Sequence, residues 1–396
     1  MSSIDAASWQ TAYPGFLIPS YDRGGLAGVL PAILGSLGIP LDLPSPRHAV
    51  PAARHAVVVL ADGLGWEQLR ERSGHAPFLR RAMAAQGVIA EPLTAGFPST
   101  TATSMGNFGT GRGPGVHGLV GYQVQIPGTT RIFNELGWQG GPDPVQWQPE
   151  PTMFEQATDG GVDVTMVGPS HFDGSGLSTA ALRGARFTGA EDLPGRVDAT
   201  LAALRAAPRD RSALIYLYWG EVDKAGHVHG AFSWQWGEEL EQLDAELARL
   251  HRSLPTQTSL TLTADHGMVD VPADARIDVA HDAELRDGVR AVGGELRAPQ
   301  VYCLPGAASH VLATWRKRLG DQAWVLSREE AVQTGLFGPV LPRVLPRLGD
   351  VIVAMHAPAG IFDGRVMTPR VSGLVGHHGS LTSAEQLVPR IHWSAA

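Results

Sequence analysis

The sequence predicts an α/β protein with a mostly parallel central sheet and helices on both of its faces. Short apolar runs recur along the chain, and helical patterns lie between them. Strands that alternate with helices are typical of a parallel sheet, because each parallel pair needs a crossover connection. With 396 residues the chain is long enough for a large core. We expect a single domain over 1–396, with an inserted cap lobe over 275–345.

Five apolar runs are the strand candidates, since their lengths and their β-branched residues suit buried strands. In chain order they cover 56–61, 162–167, 212–218, 259–264 and 351–354. The stretch 275–345 lacks this clean alternation and is rich in Arg, Pro and Gly, which is why we interpret it as a lobe inserted over the sheet.

Two helices have the clearest patterns. One carries apolar residues at helical spacing with acidic residues on its opposite face: Trp236, Leu240, Leu243, Leu247 and Leu250. The other lies in the uncharged stretch 24–41, whose length is near the lower limit for a membrane span. Its larger apolar residues fall on one face, so we expect a helix packed on the core that ends at Gly38 and Pro40, and no membrane span.

Composition excludes several classes of protein and of site. The net charge of −8 argues against a surface that binds nucleic acid through basic residues. A single cysteine, Cys303, allows neither an internal disulfide nor a cysteine-based zinc cluster, so His, Asp and Glu must hold any metal. The N-terminus has no basic start followed by an apolar run, and we therefore expect a cytoplasmic protein without a secretory signal.

Acidic residues follow three of the predicted strands. Asp62, Asp223 and Asp265 come after the first, third and fourth runs, and His227 and His266 stand close to them. The carboxyl ends of parallel strands share one edge of a sheet, where carboxylates at close range repel each other unless cations neutralise them. A mixed nitrogen and oxygen set suits Zn²⁺ or Mn²⁺ better than Ca²⁺. Taken singly, an Asp after a strand is more often a helix cap or a turn residue.

Two further segments have both a structural and a functional interpretation. Pro98 and the hydroxyl residues after it are typical of a helix start, where a Ser or Thr side chain caps the helix or acts as a nucleophile. Free backbone N–H groups at such a start favour a phosphate. Near the C-terminus, His377 and His378 form either a solvated turn or the closing part of a metal site.

The order and spacing of these motifs resemble the alkaline phosphatase superfamily, and within it the nucleotide pyrophosphatase/phosphodiesterase branch. The matching series is Asp62-Gly63, Phe97-Pro98-Ser99-Thr100-Thr101, His117-Gly118, Asp223 to His227, Asp265-His266-Gly267 and His378-Gly379. The resemblance implies two divalent metal ions, most often zinc. It implies that one ion is held by Asp223, His227 and His378. The other would be held by Asp62, Asp265 and His266, together with the Thr101 oxygen.

The same resemblance implies the reaction. Thr101 matches the family nucleophile, which becomes an alkoxide on one metal, attacks phosphorus in line and forms a phospho-threonine intermediate that water hydrolyses. The substrate would be a small phosphate ester, with a phosphodiester or a pyrophosphate preferred to a phosphomonoester. No Arg or Lys matches the role that extra positive charge has in the related monoesterases; Arg112 is near in sequence but falls on a position without function in the family.

Two substrate-binding positions depart from the family pattern. Tyr122 stands where the phosphodiesterase branch has an Asn that helps to bind a phosphoryl oxygen, and its hydroxyl can donate a similar hydrogen bond. Ala102 stands where the family often has an aromatic residue that stacks on a nucleobase. Trp219, Phe108 and Tyr122 are the candidates to replace that aromatic ring.

Overall fold

A computed structural model of the chain describes residue 15 and residues 17–21, 24–43 and 49–395. Its strands, numbered β1 to β17 in chain order, are His55–Ala61, Val88–Thr94, Gln123–Gln125, Ile132–Asn134, Asp163–Gly168, Arg186–Gly189, Ala213–Trp219, Thr258–Thr263, Val269–Asp270, Arg276–Asp278, Val289–Gly294, Pro299–Cys303, Ala323–Ser327, Val351–Met355, Gly360–Phe362, Gly376–His377 and Leu387–Trp393.

The central sheet has the strand order β2-β17-β8-β1-β7-β5-β6. Neighbours from β8 to β6 pair in parallel, whereas β17 pairs antiparallel with both β2 and β8. Six of the seven strands therefore run in one direction, which confirms the predicted fold class. Four predicted runs form β1, β5, β7 and β8.

The fifth run, 351–354, was wrongly placed in the parallel sheet. It forms β14, which pairs antiparallel with β12 and β13 in a separate four-stranded sheet of order β11-β12-β14-β13. An apolar run of this length indicates a strand buried on both faces but does not indicate which sheet contains it. This second sheet has its own apolar cluster, which includes Trp315 and Val353. The assignment of 275–345 as a cap lobe stays a prediction.

The α-helices span Val29–Ser36, Trp66–Glu71, Pro77–Ala84, Thr101–Thr110, Pro114–His117, Pro144–Trp147, Met153–Asp159, Gly176–Leu182, Leu193–Ala206, Glu221–His229, Trp234–Ser253, Ala283–Arg286, Ala308–Leu319, Arg328–Gln333, Pro369–Ser372 and Ser383–Gln386. Short 3₁₀ turns lie at Leu26–Gly28, Ser170–Phe172, Ala273–Ala275, Gly320–Gln322 and Leu345–Arg347.

The predicted helix around Trp236 is confirmed over Trp234–Ser253. Ser233 caps it by accepting a hydrogen bond from the Trp236 N–H at 3.2 Å, and all five predicted apolar positions are buried. Burying side chains of this size stabilises the fold by about 1.5–3 kcal/mol each. Trp236 is thus a core residue, whereas Trp234 is 67% exposed.

The predicted helix in 24–41 is shorter than its apolar pattern. A 3₁₀ turn leads into Val29–Ser36, and Gly38 follows with a left-handed φ of +80°. Pro31, Ala32 and Ser36 are buried as well as the larger apolar residues, so the helix is covered on more than the one predicted face. None of the helices in the described part of the chain combines the length and apolar character that crossing a bilayer needs. Residues 1–14, on which the expected lack of a secretory signal rests, lie outside the described residues.

Candidate metal centre and nucleophile

Three adjacent strands of the central sheet deliver the acidic residues to one edge. Ala61 pairs with Trp219, and Leu60 pairs with Thr263, so β1, β7 and β8 end level with one another. The loop or helix that follows each strand carries one carboxylate. Gly63 allows them to come close, because it has a φ of +71° and a Cβ there would lie 2.8 Å from the Asp223 Cα atom.

One group of candidate ligands lies beside the predicted nucleophile. The His266 Nε2 atom is 3.4 Å from Asp62 Oδ1, 3.5 Å from Asp265 Oδ2 and 3.2 Å from Thr101 Oγ1. One ligand atom from each of Asp62, Asp265 and His266 lies within 4.8 Å of the others. The structure therefore brings together the whole residue set that the resemblance assigns to one metal.

The second group differs in one member from the predicted set. Ligand atoms of Asp223, His266 and His378 lie within 4.8 Å of one another, so His266 takes part in both groups. Its ring stacks on His378 with centroids 3.6 Å apart. The predicted ligand His227 is adjacent, with its Nε2 atom 3.4 Å from Asp223 Oδ2 and its ring centroid 5.2 Å from that of His378. The assignment of His227 to this metal stays a prediction.

Each of the three imidazoles has a backbone carbonyl oxygen beside its Nδ1 atom. The Nδ1 atoms of His227, His266 and His378 lie 2.7, 2.9 and 2.8 Å from the carbonyl oxygens of Gly376, Gly267 and Ser99. A carbonyl only accepts, so in the neutral ring Nδ1 carries the proton and Nε2 keeps its lone pair. This is how proteins prepare histidine for binding a metal through Nε2.

The electrostatics of the cluster favour a cation. Within this cluster, three buried carboxylate oxygens find no hydrogen-bond partner among the described residues: Asp62 Oδ1, Asp223 Oδ1 and Asp265 Oδ2. Burial and repulsion from Asp265 and Asp223 raise the pKa of Asp62 well above its usual range. Burial and the neighbouring His266 and His227 lower the pKa of His378 well below its usual range. Because buried polar groups normally have partners, unpaired oxygens beside imidazole nitrogens fit divalent metal ions.

Thr101 begins the helix Thr101–Thr110, as the hydroxyl-rich segment predicts. Thr100 is the N-cap residue, but its side chain does not cap the helix and donates to the Glu295 carboxylate instead. The helix is held on the metal cluster by Ser104, whose hydroxyl donates to the Asp265 carbonyl at 2.7 Å. The first N–H groups of this helix therefore remain available for an anion beside Thr101.

Sequence reasoning missed two residues that contact this site. The Tyr218 hydroxyl donates to Asp62 Oδ2 at 2.5 Å, which leaves Asp62 Oδ1 as the unpaired oxygen. Tyr218 is the last residue of the predicted strand 212–218, and this place at the strand's end was the available signal. Glu295 lies in the β11–β12 turn, where burial raises its pKa to about 7. No local pattern marked it, because its partner Thr100 is 195 residues away.

A cleft of about 510 Å³ opens over these groups. It is lined by Asp62, Thr101, Asp223, His227, His378 and Glu295, and also by Tyr122, whose role in substrate binding stays a prediction. His377 also lines the cleft, but its Nε2 atom lies 2.9 Å from the Leu374 carbonyl. No Arg or Lys is among the lining residues that the structure describes.

Several sequence candidates lie away from the cleft. Ala102 and Phe108 are fully buried in the main core, and Trp219 packs under Arg196, whose guanidinium carbon is 4.9 Å from its ring centroid. Tyr122 is therefore the only one of the three aromatic candidates that lines the cleft. Two motif residues have structural roles: His117 contacts Asn107 Oδ1 at 2.9 Å, and Arg112 lies 3.6 Å from Glu150. His229 is exposed.

The fold is shared with solved structures of known enzymes. Murine ectonucleotide pyrophosphatase/phosphodiesterase 5, in an inactive form with AMP, gives a TM-score of 0.68 at 18% identity over 85% of this chain and 87% of that one. The human enzyme gives 0.67 at 16% over 85% and 87%. Phosphonoacetate hydrolase from Sinorhizobium meliloti, in complex with phosphonoformate, gives 0.66 at 20% over 90% and 93%.

The comparison of sequences identifies the family as well as the fold. The model of the type I phosphodiesterase/nucleotide pyrophosphatase family matches residues 56–381, which include every predicted metal ligand and Thr101. The match covers most of the chain. The chain therefore belongs to the type I phosphodiesterase/nucleotide pyrophosphatase family, within the alkaline phosphatase superfamily.

Proposed function

We propose that this hydrolase cleaves phosphodiester or pyrophosphate bonds through a covalent phospho-threonine intermediate on Thr101. The observation that carries the proposal is the position of the Thr101 hydroxyl, 3.2 Å from His266 Nε2 at the start of an uncapped helix. Buried carboxylate oxygens without partners surround this point. A hydroxyl that faces both a cation site and free N–H groups is placed to attack a bound phosphate.

The metal ions belong to the same proposal. Asp62, Asp265 and His266 would hold one ion beside Thr101, and Asp223, His227 and His378 would hold the other. When bound, two divalent cations supply the positive charge that lowers the pKa of a hydroxyl and stabilises a leaving oxygen. Imidazole nitrogens mixed with carboxylate oxygens favour Zn²⁺, with Mn²⁺ as the alternative.

Each of the two steps forms one bond to phosphorus and breaks another. In the first step the Thr101 hydroxyl gives its proton to solvent, its oxygen bonds to phosphorus, and the bond from phosphorus to the leaving oxygen breaks. In the second step a water oxygen bonds to phosphorus and gives up one proton, and the bond from phosphorus to the Thr101 oxygen breaks as that oxygen takes up a proton. The N–H groups at the start of the Thr101–Thr110 helix would bind the equatorial oxygens in both steps.

The charge of the cleft favours diesters over monoesters. A phosphomonoester carries one more negative charge, and the cleft has no Arg or Lys among its described lining residues but does contain Glu295. Like charge at close range would weaken monoester binding. A phosphomonoesterase acting on the same metal site remains the alternative function.

Metal analysis of the purified protein and two substrates test this proposal. We expect two equivalents of a divalent metal, and faster hydrolysis of bis(p-nitrophenyl) phosphate than of p-nitrophenyl phosphate. Thr101→Ala should lower kcat by several orders of magnitude, whereas Thr101→Ser should keep a nucleophile and form a trappable phospho-serine. Full activity in Thr101→Ala would refute the covalent route, and a clear monoester preference would favour the alternative.

A further inference from the structure

A narrow recess adjoins the cleft next to Thr101. Five residues line both spaces, so the two lie side by side at Thr101, Leu136, Phe172, Ser175 and Tyr218. The recess has a volume of about 50 Å³. Its deeper wall is formed by Met105, Met166, Leu177, Leu182 and Tyr216.

The wall of the recess is apolar, and its polar groups already have partners. Tyr218 donates to Asp62, and the Tyr216 hydroxyl faces Met105 Sδ at 3.7 Å. Ser175 accepts from the Ser178 N–H at 3.3 Å. No charged residue lines the recess in the described part of the chain. A charged or strongly polar group would lose its hydration there without compensation, so the recess suits an uncharged apolar group.

Its position relative to Thr101 indicates which part of a substrate would enter. In-line displacement places the leaving oxygen on the far side of phosphorus from the attacking oxygen. The recess begins at Thr101, whereas Asp223, His227 and His378 line only the wide cleft. A group in the recess therefore stays on phosphorus while the leaving group faces the cleft.

We propose that this recess binds the retained ester group of the substrate, and that this group is a short uncharged alkyl chain. The inference rests on the proposed function, because it takes Thr101 as the attacking group. A cavity of about 150 Å³ holds a benzene ring, so a recess of about 50 Å³ holds less, on the order of two to four carbons. Each buried methylene should raise kcat/KM about fourfold.

A series of alkyl p-nitrophenyl phosphates tests the proposal on the metal-loaded protein. From methyl to ethyl to n-propyl we expect kcat/KM to rise about fourfold per carbon, and the n-octyl ester should gain nothing beyond propyl. A flat series, or a continuing rise to octyl, would overturn the proposal. Hydrolysis of none of the esters would refute the proposed function instead. Calorimetry of the binding of dimethyl, ethyl methyl and n-propyl methyl phosphate would then still test the recess. Their affinity should depend on chain length in the same way.

A matched pair of variants locates the effect. Ser178 lines the recess, whereas Thr179, next to it on the same helix, does not. Ser178→Leu should fill the recess and abolish the advantage of propyl over methyl in kcat/KM. Thr179→Leu should leave the whole series unchanged. An unchanged series in a folded Ser178→Leu protein would refute the assignment; should that variant not fold, the native series decides alone.

Discussion

Tyr218→Phe removes one hydroxyl from beside the proposed metal site and should weaken metal binding. The lost hydroxyl donates to Asp62 Oδ2 at 2.5 Å. Burial and repulsion from Asp265 and Asp223 already raise the pKa of Asp62, and the hydrogen bond from Tyr218 opposes that rise, so its loss should raise the pKa further. Metal ligands must be deprotonated to bind, so a carboxylate that keeps its proton more readily holds a cation less tightly.

The expected loss is 10- to 100-fold in metal affinity, as is typical when a hydrogen bond to a ligand is removed. Each tenfold corresponds to about 1.4 kcal/mol, which agrees with about 1.5–3 kcal/mol for a hydrogen bond to a charged group. Zinc affinity can be measured by competition with a chromophoric chelator at constant pH.

Tyr216→Phe is the matched control for this experiment. Tyr216 lies two residues earlier on the same strand, and its hydroxyl contacts the Met105 sulfur at 3.7 Å. We expect its loss to change zinc affinity by less than about threefold, since a sulfur is a weak acceptor. Equal affinities in native protein and Tyr218→Phe, or equal losses in both variants, would refute the reasoning.

Three further changes test the electrostatics of the molecule. Glu295→Ala should bind inorganic phosphate about tenfold more weakly than Glu295→Gln, because only Gln keeps an acceptor that prevents Thr100 from capping the nucleophile helix. Both variants lack the negative charge of Glu295. Equal inhibition constants for inorganic phosphate would therefore contradict the role of Glu295 in keeping Thr100 from capping the helix. Asp62→Asn should raise the unfolding free energy of the metal-free protein at pH 8, because a carboxyl group whose pKa is raised in the folded state destabilises the fold once the pH exceeds the pKa of the unfolded form. The same change should remove the stabilisation by added zinc, and urea unfolding with and without zinc measures both effects; a destabilised metal-free variant would be the contrary result. His117 is buried, and burial lowers its pKa to about 3. Below about pH 6.5 the His117 side chain binds a proton in the unfolded protein but not in the folded protein. The free energy of unfolding should therefore fall by about 1.4 kcal/mol for each pH unit from pH 6 to pH 4. His117→Gln should lack this part of the slope, whereas a change at the exposed His229 should retain it; identical slopes in native protein and His117→Gln would show that His117 does not titrate in this way.

Local patterns predicted the parallel part of the sheet because its strands are continuous apolar runs. They missed β17, which lies between β2 and β8 but contains Pro389, Arg390 and His392. Arg390 and His392 are buried because they have partners on neighbouring strands. Arg390 Nη1 lies 3.0 Å from Glu91 Oε1, and His392 Nδ1 lies 2.9 Å from Thr261 Oγ1. Such pairing depends on distant residues, which a local hydrophobic pattern does not report.

The candidate site was predictable to the extent that it follows strand ends. Asp62 and Asp265 stand directly after apolar runs, and the rule for parallel sheets places both at one edge. The sharing of His266 between two ligand groups and the contact of Glu295 with Thr100 depend on how loops fold back over that edge. Sequence spacing carries no information about these distances.

The placement of β17 has a consequence for how the protein is assembled. The strand that comes last in the chain occupies an inner position of the central sheet, and the candidate ligand His378 precedes it by only a short helix. A fragment that ends before residue 378 lacks β17, the strand that joins β2 to β8. It also lacks one imidazole of the candidate metal centre. Non-local pairing of this kind slows folding, and the sheet can close only after synthesis has passed residue 393.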